Sequence, residues 1–575
     1  MQPSFPEVTF AKWRELVEKG LAGKPFDKAL VHEAIAGIPI APLYTAAPSL
    51  DASARRVRSE PFRICMRHVT DARVEDLVAD VADGADALWL PLDLHSEIAR
   101  EELARTTFVL EASEVPRPEI VTAITPRAIL AVDPMAWRAR GHAPFATLQK
   151  DLGALGQLAV AMRDSGHRAA VACVSTEPYH DAGADAADEI AIALSTGAAY
   201  LEAFIEAGLT PDEASSAIAL RVPVGRDTFV QMCKLRALRV CFTKMLVASG
   251  VTSEAPTLVH AVCSEQTLTV RDPWVNMLRV TTQVFAAVIG GADLVTPTAF
   301  DEATGAATVF SRRVARNTGL VLREESALGK VSDPAVGSYY FDTLTDTLAR
   351  QAWVRFQDLC KNGGITEQLE SGELRRRLEA KWEKRLDQIA KRKLPILGVS
   401  EFAFLEEKLP YTVPPMTEQT PEKGALPIHR DASLFEALRS RAEALTPKPE
   451  ILLLTLGSFA SSRARAGFAA NFFAAGGILS REVSSVEPAE AAEPATVVCL
   501  CGTDERYAEE AAARASELKA RGVPCVLLAG RPGALEADLR KAGVDGFIFV
   551  GCDVFVMLVE IFGRFTATTR NEATR

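Results

Sequence analysis

Three groups of residues have types and spacings that could carry chemistry. Glu177, His180 and Asp185 follow the apolar run Ala169 to Ser175. An imidazole near carboxylates just past a strand end suits general acid–base work, because histidine titrates near neutral pH and a carboxylate can orient it. His260 stands alone inside the apolar run Thr257 to Cys263, and a single histidine on an apolar strand reads as core packing. Cys499 and Cys501 form a C-x-C in another apolar run. No second ligand pair at zinc-site spacing accompanies them, so both read as small hydrophobes of a strand.

The elements that must position these residues show in the apolar periodicity. Eight short runs recur: Arg63 to Val69, Ala87 to Leu92, Thr107 to Glu111, Ala128 to Val132, Ala169 to Ser175, Ala217 to Val222, Thr257 to Cys263 and Asp293 to Thr296. They are continuous rather than alternating, which is the pattern of strands covered on both faces. Helices are predicted between them over Asp185 to Ala203, Asp227 to Ser249 and Pro273 to Ile289. Eight such units predict a TIM barrel, a fold that places catalytic groups at the C-terminal strand ends, where Glu177, His180 and Asp185 would lie. Glu367 to Lys391 reads as one heavily charged helix with little apolar stripe, a solvated brace.

Pro410, Pro414, Pro415, Pro421 and Pro427 then mark a domain boundary, with one short helix near Leu434 to Leu445. Strands are predicted beyond it at Glu450 to Leu456, Thr496 to Cys501, Cys525 to Ala529 and Gly546 to Val550. Helices alternate with them at Ala464 to Ala475, Glu505 to Ala520, Leu535 to Ala542 and Val554 to Phe565. This alternation predicts an open, doubly wound sheet of flavodoxin type. The fold class is therefore α/β, a barrel followed by a flavodoxin-like domain.

At 575 residues the chain exceeds what one core organises, and 48% hydrophobic with 24% charged residues is an ordinary globular composition. A net charge of -11 and the lack of a basic stripe argue against nucleic acid and anionic membrane as partners. The N-terminal residues lack a secretory pattern, no apolar stretch suffices to span a bilayer, and the ten cysteines are scattered, which together predict a cytoplasmic protein.

Several segments resemble the methylmalonyl-CoA mutase family. Asp333-Pro334-Ala335-Val336-Gly337-Ser338-Tyr339-Tyr340 is similar to the family's D-P-x-G-G-S-Y-Y, Ala315-Arg316-Asn317-Thr318 to its A-R-N-T, and Lys234-Leu235-Arg236-Ala237 to its K-L-R-A. Gly398-Val399-Ser400-Glu401-Phe402 resembles a small-subunit version of a motif after the barrel. Catalytic members of the family hold cobalamin with D-x-H-x-x-G, whose His binds cobalt, whose Asp orients that His and whose Gly lets backbone approach the cofactor tail. The matching stretch here is Phe459-Ala460-Ser461-Ser462-Arg463-Ala464, with Phe459 for the Asp, Ser461 for the His and Ala464 for the Gly. Phe459 reads as packing that fills a vacated pocket. Arg531, where the family has a second Gly of a pair with Gly530, would project into the groove for the nucleotide tail.

The resemblance extends to the barrel. Tyr179-His180 matches a family Y-H whose His contacts the substrate thioester, in a loop two residues shorter; His260 matches another active-site His, with Leu258 and Val262 where the family has Arg and Gln. Pro42 to Pro48 stands where catalytic subunits carry a substrate-binding stretch rich in arginine. The runs containing Ile64, Cys65, Leu88, Trp89, Leu90, Phe108, Val109, Leu110, Ile129 and Leu130 favour a filled axis over a substrate channel.

The resemblance implies a non-catalytic small subunit of a heterodimeric adenosylcobalamin-dependent mutase, with no catalytic, cofactor or metal residue of its own and the cofactor held by the catalytic large subunit. The expected domains are a helical arm over 1–45 with Phe5, Phe10 and Trp13, a barrel with brace over 46–400, a proline-rich linker over 401–447 and a degenerate cobalamin-binding-like domain over 448–575. Two other readings stay open: a self-sufficient acyl-CoA mutase with a divergent cobalamin site, and a cobalamin-independent barrel enzyme using Glu177, His180 and Asp185.

Overall fold

The structure, a computed structural model, describes residues 8–33, 37–46, 60–69, 72–95, 103, 106–122, 124–125, 128–167, 169–305, 307–409, 424–491, 493 and 496–572. The eight apolar runs form β1 (Arg63–Arg67), β2 (Ala87–Pro91), β3 (Thr107–Glu111), β4 (Ile129–Ala131), β5 (Ala172–Ser175), β6 (Ile218–Val224), β7 (Leu258–Cys263) and β8 (Leu294–Thr296). They pair in parallel in the order β4-β3-β2-β1-β8-β7-β6-β5. Val132 pairs with Ala172 and closes the ring, helped by the Leu130 N–H to Ala170 C=O bond of 2.9 Å. Strand alternation then sorts the side chains: Ile64, Leu88, Leu90, Phe108, Leu110 and Leu130 join the large core under the helices, while Cys65, Ala87, Trp89, Val109 and Ile129 form a smaller cluster inside the ring.

Long helices cover the ring: α1 (Ala186–Glu206), α2 (Thr228–Ala248), α3 (Trp274–Ile289) and α4 (Val309–Leu320). Asp185 starts α1 in a capping box with Asp188, and Asp227 caps α2, so the carboxylates predicted at those turns are spent on exposed helix N–H groups. A further helix, α5 (Tyr339–Lys361), lies across α1 and α2 and buries Leu344, Leu348, Ala352 and Leu359.

The three segments that resemble mutase-family motifs act here as clamps. Arg236 bonds Asp342 at 2.7 Å and Thr345 at 2.9 Å and pairs with Asp333 at 3.3 Å, which fastens α5 to α2. Arg316 pairs with Asp80 and, at 2.7 Å, with Asp83. Lys234, fully buried, pairs with Glu189 at 2.9 Å and donates to the Pro223 carbonyl at 2.6 Å. Buried charges persist only when paired this completely.

The expected single helix at Glu367 to Lys391 is corrected to two, Gly364–Glu370 and α6 (Glu373–Ala390), broken at Gly372 with φ +72°. The expectation of little apolar stripe is also corrected. Leu374, Leu378, Trp382 and Ile389 are buried along one side of α6, because its charges sit on the remaining faces.

Beyond residue 424, α7 (Ser433–Glu443) leads to a second parallel sheet: β9 (Glu450–Thr455), β10 (Leu479–Val483), β11 (Val497–Cys501), β12 (Cys525–Ala529) and β13 (Gly546–Ile548), ordered β10-β9-β11-β12-β13. One sheet face packs on α8 (Phe459–Ala474) and α9 (Val554–Glu572) through Phe472, Phe473, Leu558 and Phe562, and the other on Tyr507, Ala515, Leu518 and Leu539. Ile389, Ile396, Val399, Phe435 and Leu438 enter the first of these cores. Glu436 of α7 meanwhile accepts from Val270 N–H at 2.6 Å in the loop after β7, tying barrel to sheet. Among the described residues no helix is long and apolar enough to cross a membrane.

Candidate functional site

The two places where chemistry could occur are the barrel axis and the carboxyl edge of the second sheet. Trp89 of β2 occupies the axis. Two guanidiniums lie over its ring, Arg67 at 4.6 Å and Arg221 at 4.3 Å, and His260 meets it edge-on at 5.5 Å. Its indole N–H donates to Glu111 at 3.0 Å. Arg221, from the middle of β6, pairs with Glu111 at 3.0 Å and Glu177 at 2.7 Å. Burial opposes its charge, but those carboxylates outweigh burial and hold the guanidinium above its ordinary range; Glu177 in turn is held below the usual carboxylate range by Arg221, Arg67 and Arg140 despite its burial. The axis is filled, as expected, by an aromatic ring and an ion-pair network together with Ala87, Val109 and Ile129, while the larger aliphatic residues Ile64, Leu88, Leu90, Leu110 and Leu130 face the helices.

His180 and its neighbours are likewise committed. The His180 ring bonds Glu189 through Nδ1 at 3.0 Å and Ser264 Oγ through Nε2 at 2.8 Å, with all three groups buried. The connectivity is that of a serine–histidine–acid triad. Lys234 neutralises Glu189, and the burial of Ser264 leaves a substrate carbonyl no approach, so the arrangement ties β5, β7 and α1 together. Asp185 is paired with Arg355 and with Lys381 at 2.6 Å. Glu177, His180 and Asp185 therefore do not converge on one point. His260 bonds Thr296 Oγ1 at 2.7 Å, its Nδ1 has no hydrogen-bond partner among the described residues, and burial, aided by Arg221, pushes its pKa down to about 3. Cys499 and Cys501 are buried in the second sheet, with burial driving the Cys499 thiol far above its ordinary range. No group of metal-ligating side chains occurs among the described residues.

At the carboxyl edge of the second sheet the strand order reverses between β9 and β11, the place where open α/β sheets hold ligands. Tyr507 packs next to it, at the ends of β11 and β12. Its hydroxyl bonds Gly502 N–H at 2.9 Å and the Ala529 carbonyl at 2.7 Å. Arg465 lies beside it, donating to the same Ala529 carbonyl at 2.9 Å and pairing with Asp504 at 2.8 Å. Ser461 bonds the Ser458 carbonyl at 2.8 Å, one turn into α8. Arg531 donates to the Val550 carbonyl at 3.2 Å and covers the Phe549 ring. The Phe459 side chain, with the packing role expected of it, lies outside the described residues, as do Phe5, Ala47 and Pro48. Tyr44, from the same early segment, stacks on Tyr340 at 5.1 Å.

Of the residues that define both places, Trp89 stands among those expected to fill the axis, while Arg221, Glu111, Tyr507 and Arg465 are not singled out by sequence reasoning. Arg221 carried a signal, as a charge inside an otherwise apolar run.

Residues 146–434 match the family model described as methylmalonyl-CoA mutase. This chain belongs to the methylmalonyl-CoA mutase family. It is 34% identical to the methylmalonyl-CoA mutase small subunit of Streptomyces virginiae, over 97% of each chain. The probable methylmalonyl-CoA mutase small subunit of Mycobacterium tuberculosis (strain ATCC 25618 / H37Rv) is 39% identical over 71% of this chain and 67% of its own length. The methylmalonyl-CoA mutase of Escherichia coli (strain K12) is 33% identical over only 42% of this chain and 35% of its own. The clamps at Lys234, Arg236 and Arg316 all lie within the residues that match the family model.

Proposed function

We propose that this chain is the non-catalytic small subunit of a heterodimeric, adenosylcobalamin-dependent methylmalonyl-CoA mutase, pairing with a catalytic large subunit that holds the cofactor and interconverts methylmalonyl-CoA and succinyl-CoA. The observation that carries this reading is the Arg67–Trp89–Arg221 stack across the barrel axis, where a catalytic mutase threads its substrate. The sheet edge supports it independently. Its residues do not fit a cobalamin: the position of the cobalt-binding His is Ser461, and Tyr507 and Arg465 pack over the ends of β11 and β12 at the same edge. What the chain contributes is interface and the stability that comes from burying it. The N-terminal helix Phe10–Gly20 buries none of its residues, with Phe10 and Leu16 exposed, and serves as the arm that clasps the large subunit.

Titration of the purified chain with adenosylcobalamin, followed by visible absorption, leaves the cofactor spectrum unchanged, and co-expression with a large mutase subunit yields a stable one-to-one complex. A spectral shift with the chain alone would instead favour a self-sufficient mutase. Failure to form the complex would overturn the subunit reading.

A further inference from the structure

The upper end of the barrel is not completely filled. Beside the Trp89 plug, between the C-terminal ends of β1, β7 and β8, lies a cavity of about 350 Å³, a size suited to a small molecule. Its charged lining consists of Arg67, Arg73, Arg312, Asp76, Glu265 and Glu302. Two pairs among these satisfy themselves. Arg67 pairs with Glu265 at 3.1 Å, and Arg73 forks onto Asp76 at 3.1 and 3.2 Å.

One cation and one carboxylate are left over. Arg312 makes only long contacts, 3.4 Å to His68 Nδ1 and 3.7 Å to Asp76. Glu302 is half-buried, and its carboxylate makes no hydrogen bond or ion pair among the described residues. Burial raises its pKa, against the pull of Arg67 and Arg312, as expected of a carboxylate still lacking a close partner. The remaining wall is apolar, with Met66, Val69, Val262 and Ala299.

We propose that this cavity binds a small zwitterion of the α-amino-acid type, its carboxylate on Arg312, its ammonium on Glu302 and its apolar side chain against Met66, Val69 and Val262. A ligand with both charges satisfies both groups. A simple anion would leave Glu302 facing like charge, and a simple amine would leave Arg312 facing like charge. The site is independent of the subunit role proposed above: cobalamin capture, or failure to pair with a large subunit, would leave its measurements unchanged.

The test uses the full chain and three probes of one shape: L-leucine, 4-methylpentanoate, which lacks the amine, and 3-methylbutylamine, which lacks the carboxylate. Calorimetry and ligand-observed NMR are expected to show saturable L-leucine binding, with each single-charge analogue at least tenfold weaker. Arg312→Gln and Glu302→Gln, whose side chains contribute few contacts to the fold, should each weaken L-leucine at least tenfold without shifting the melting temperature. Ala307→Trp, at the rim of the cavity, should abolish binding. The proposal is overturned if L-leucine does not bind saturably, if either analogue binds as tightly as L-leucine, or if a folded variant of either charged residue binds it normally.

Discussion

At the scale of single residues, Trp89 decides what the barrel can admit. Its ring contributes the bulk of the plug, and its N–H satisfies Glu111. Trp89→Ala should cost about 3–5 kcal/mol, the usual range for emptying an aromatic core position. It should also open the axis, and xenon-pressurised crystals of the variant should show gas density between β2 and β6 that is absent from the parent. His260 provides a pH-dependent counterpart. Its folded pKa of about 3 lies below the unfolded value of 6.5, so between those values the unfolded chain binds the extra proton. Stability from this group is therefore fully present above pH 6.5 and lost as pH falls toward 3, amounting to roughly 2 kcal/mol at pH 5. Urea denaturation at pH 7 and pH 5 should show that loss in the parent and a smaller one in His260→Phe.

At the scale of elements, the proposed lack of a cofactor site rests on more than the one turn that carries Ser461. Installing the motif by Phe459→Asp, Ser461→His and Ala464→Gly should not confer cobalamin binding, because Arg465, the next residue on α8, and Tyr507, from a later helix, still pack beside Gly502 and Gly530. Visible spectroscopy of the triple variant with adenosylcobalamin should match that of the free cofactor. Binding by the triple variant alone would show that the crevice is more open than this packing implies. Elements also explain what periodicity missed. The edge strand β10 reads Leu-Ser-Arg-Glu-Val and is half exposed, so it lacks the continuous apolar run that marks its buried neighbours. The break at Gly372 escaped notice because charged residues continue on both sides of it, and the handedness of one glycine leaves no periodic trace.

At the scale of the whole molecule, the proposed role is assembly, and the N-terminal helix is where it is most easily tested. Removing residues up to Gly20 takes away a helix with no buried residue, so the melting temperature of the isolated chain should be unchanged while co-purification with a large subunit is lost. A destabilised chain that still pairs would reverse the assignment of this helix from partner to barrel.

The sequence by itself determined the architecture. Continuous apolar runs at regular spacing required strands covered on both faces, and Arg236, Arg316 and Lys234 stand in short motifs whose charges had to be paired once buried. It also placed Phe459, Ser461 and Ala464 in the stretch that resembles the family's cofactor motif, since residue identity is local information. Only the tertiary structure decided what stands at the barrel axis and at the sheet edge. Trp89, Arg67, Arg221 and Glu111 come from four different strands, and Tyr507 reaches Ala529 across the second sheet. Such meetings depend on strand register and ring closure, which bring distant positions within a few ångströms, and no local spacing along the chain encodes them.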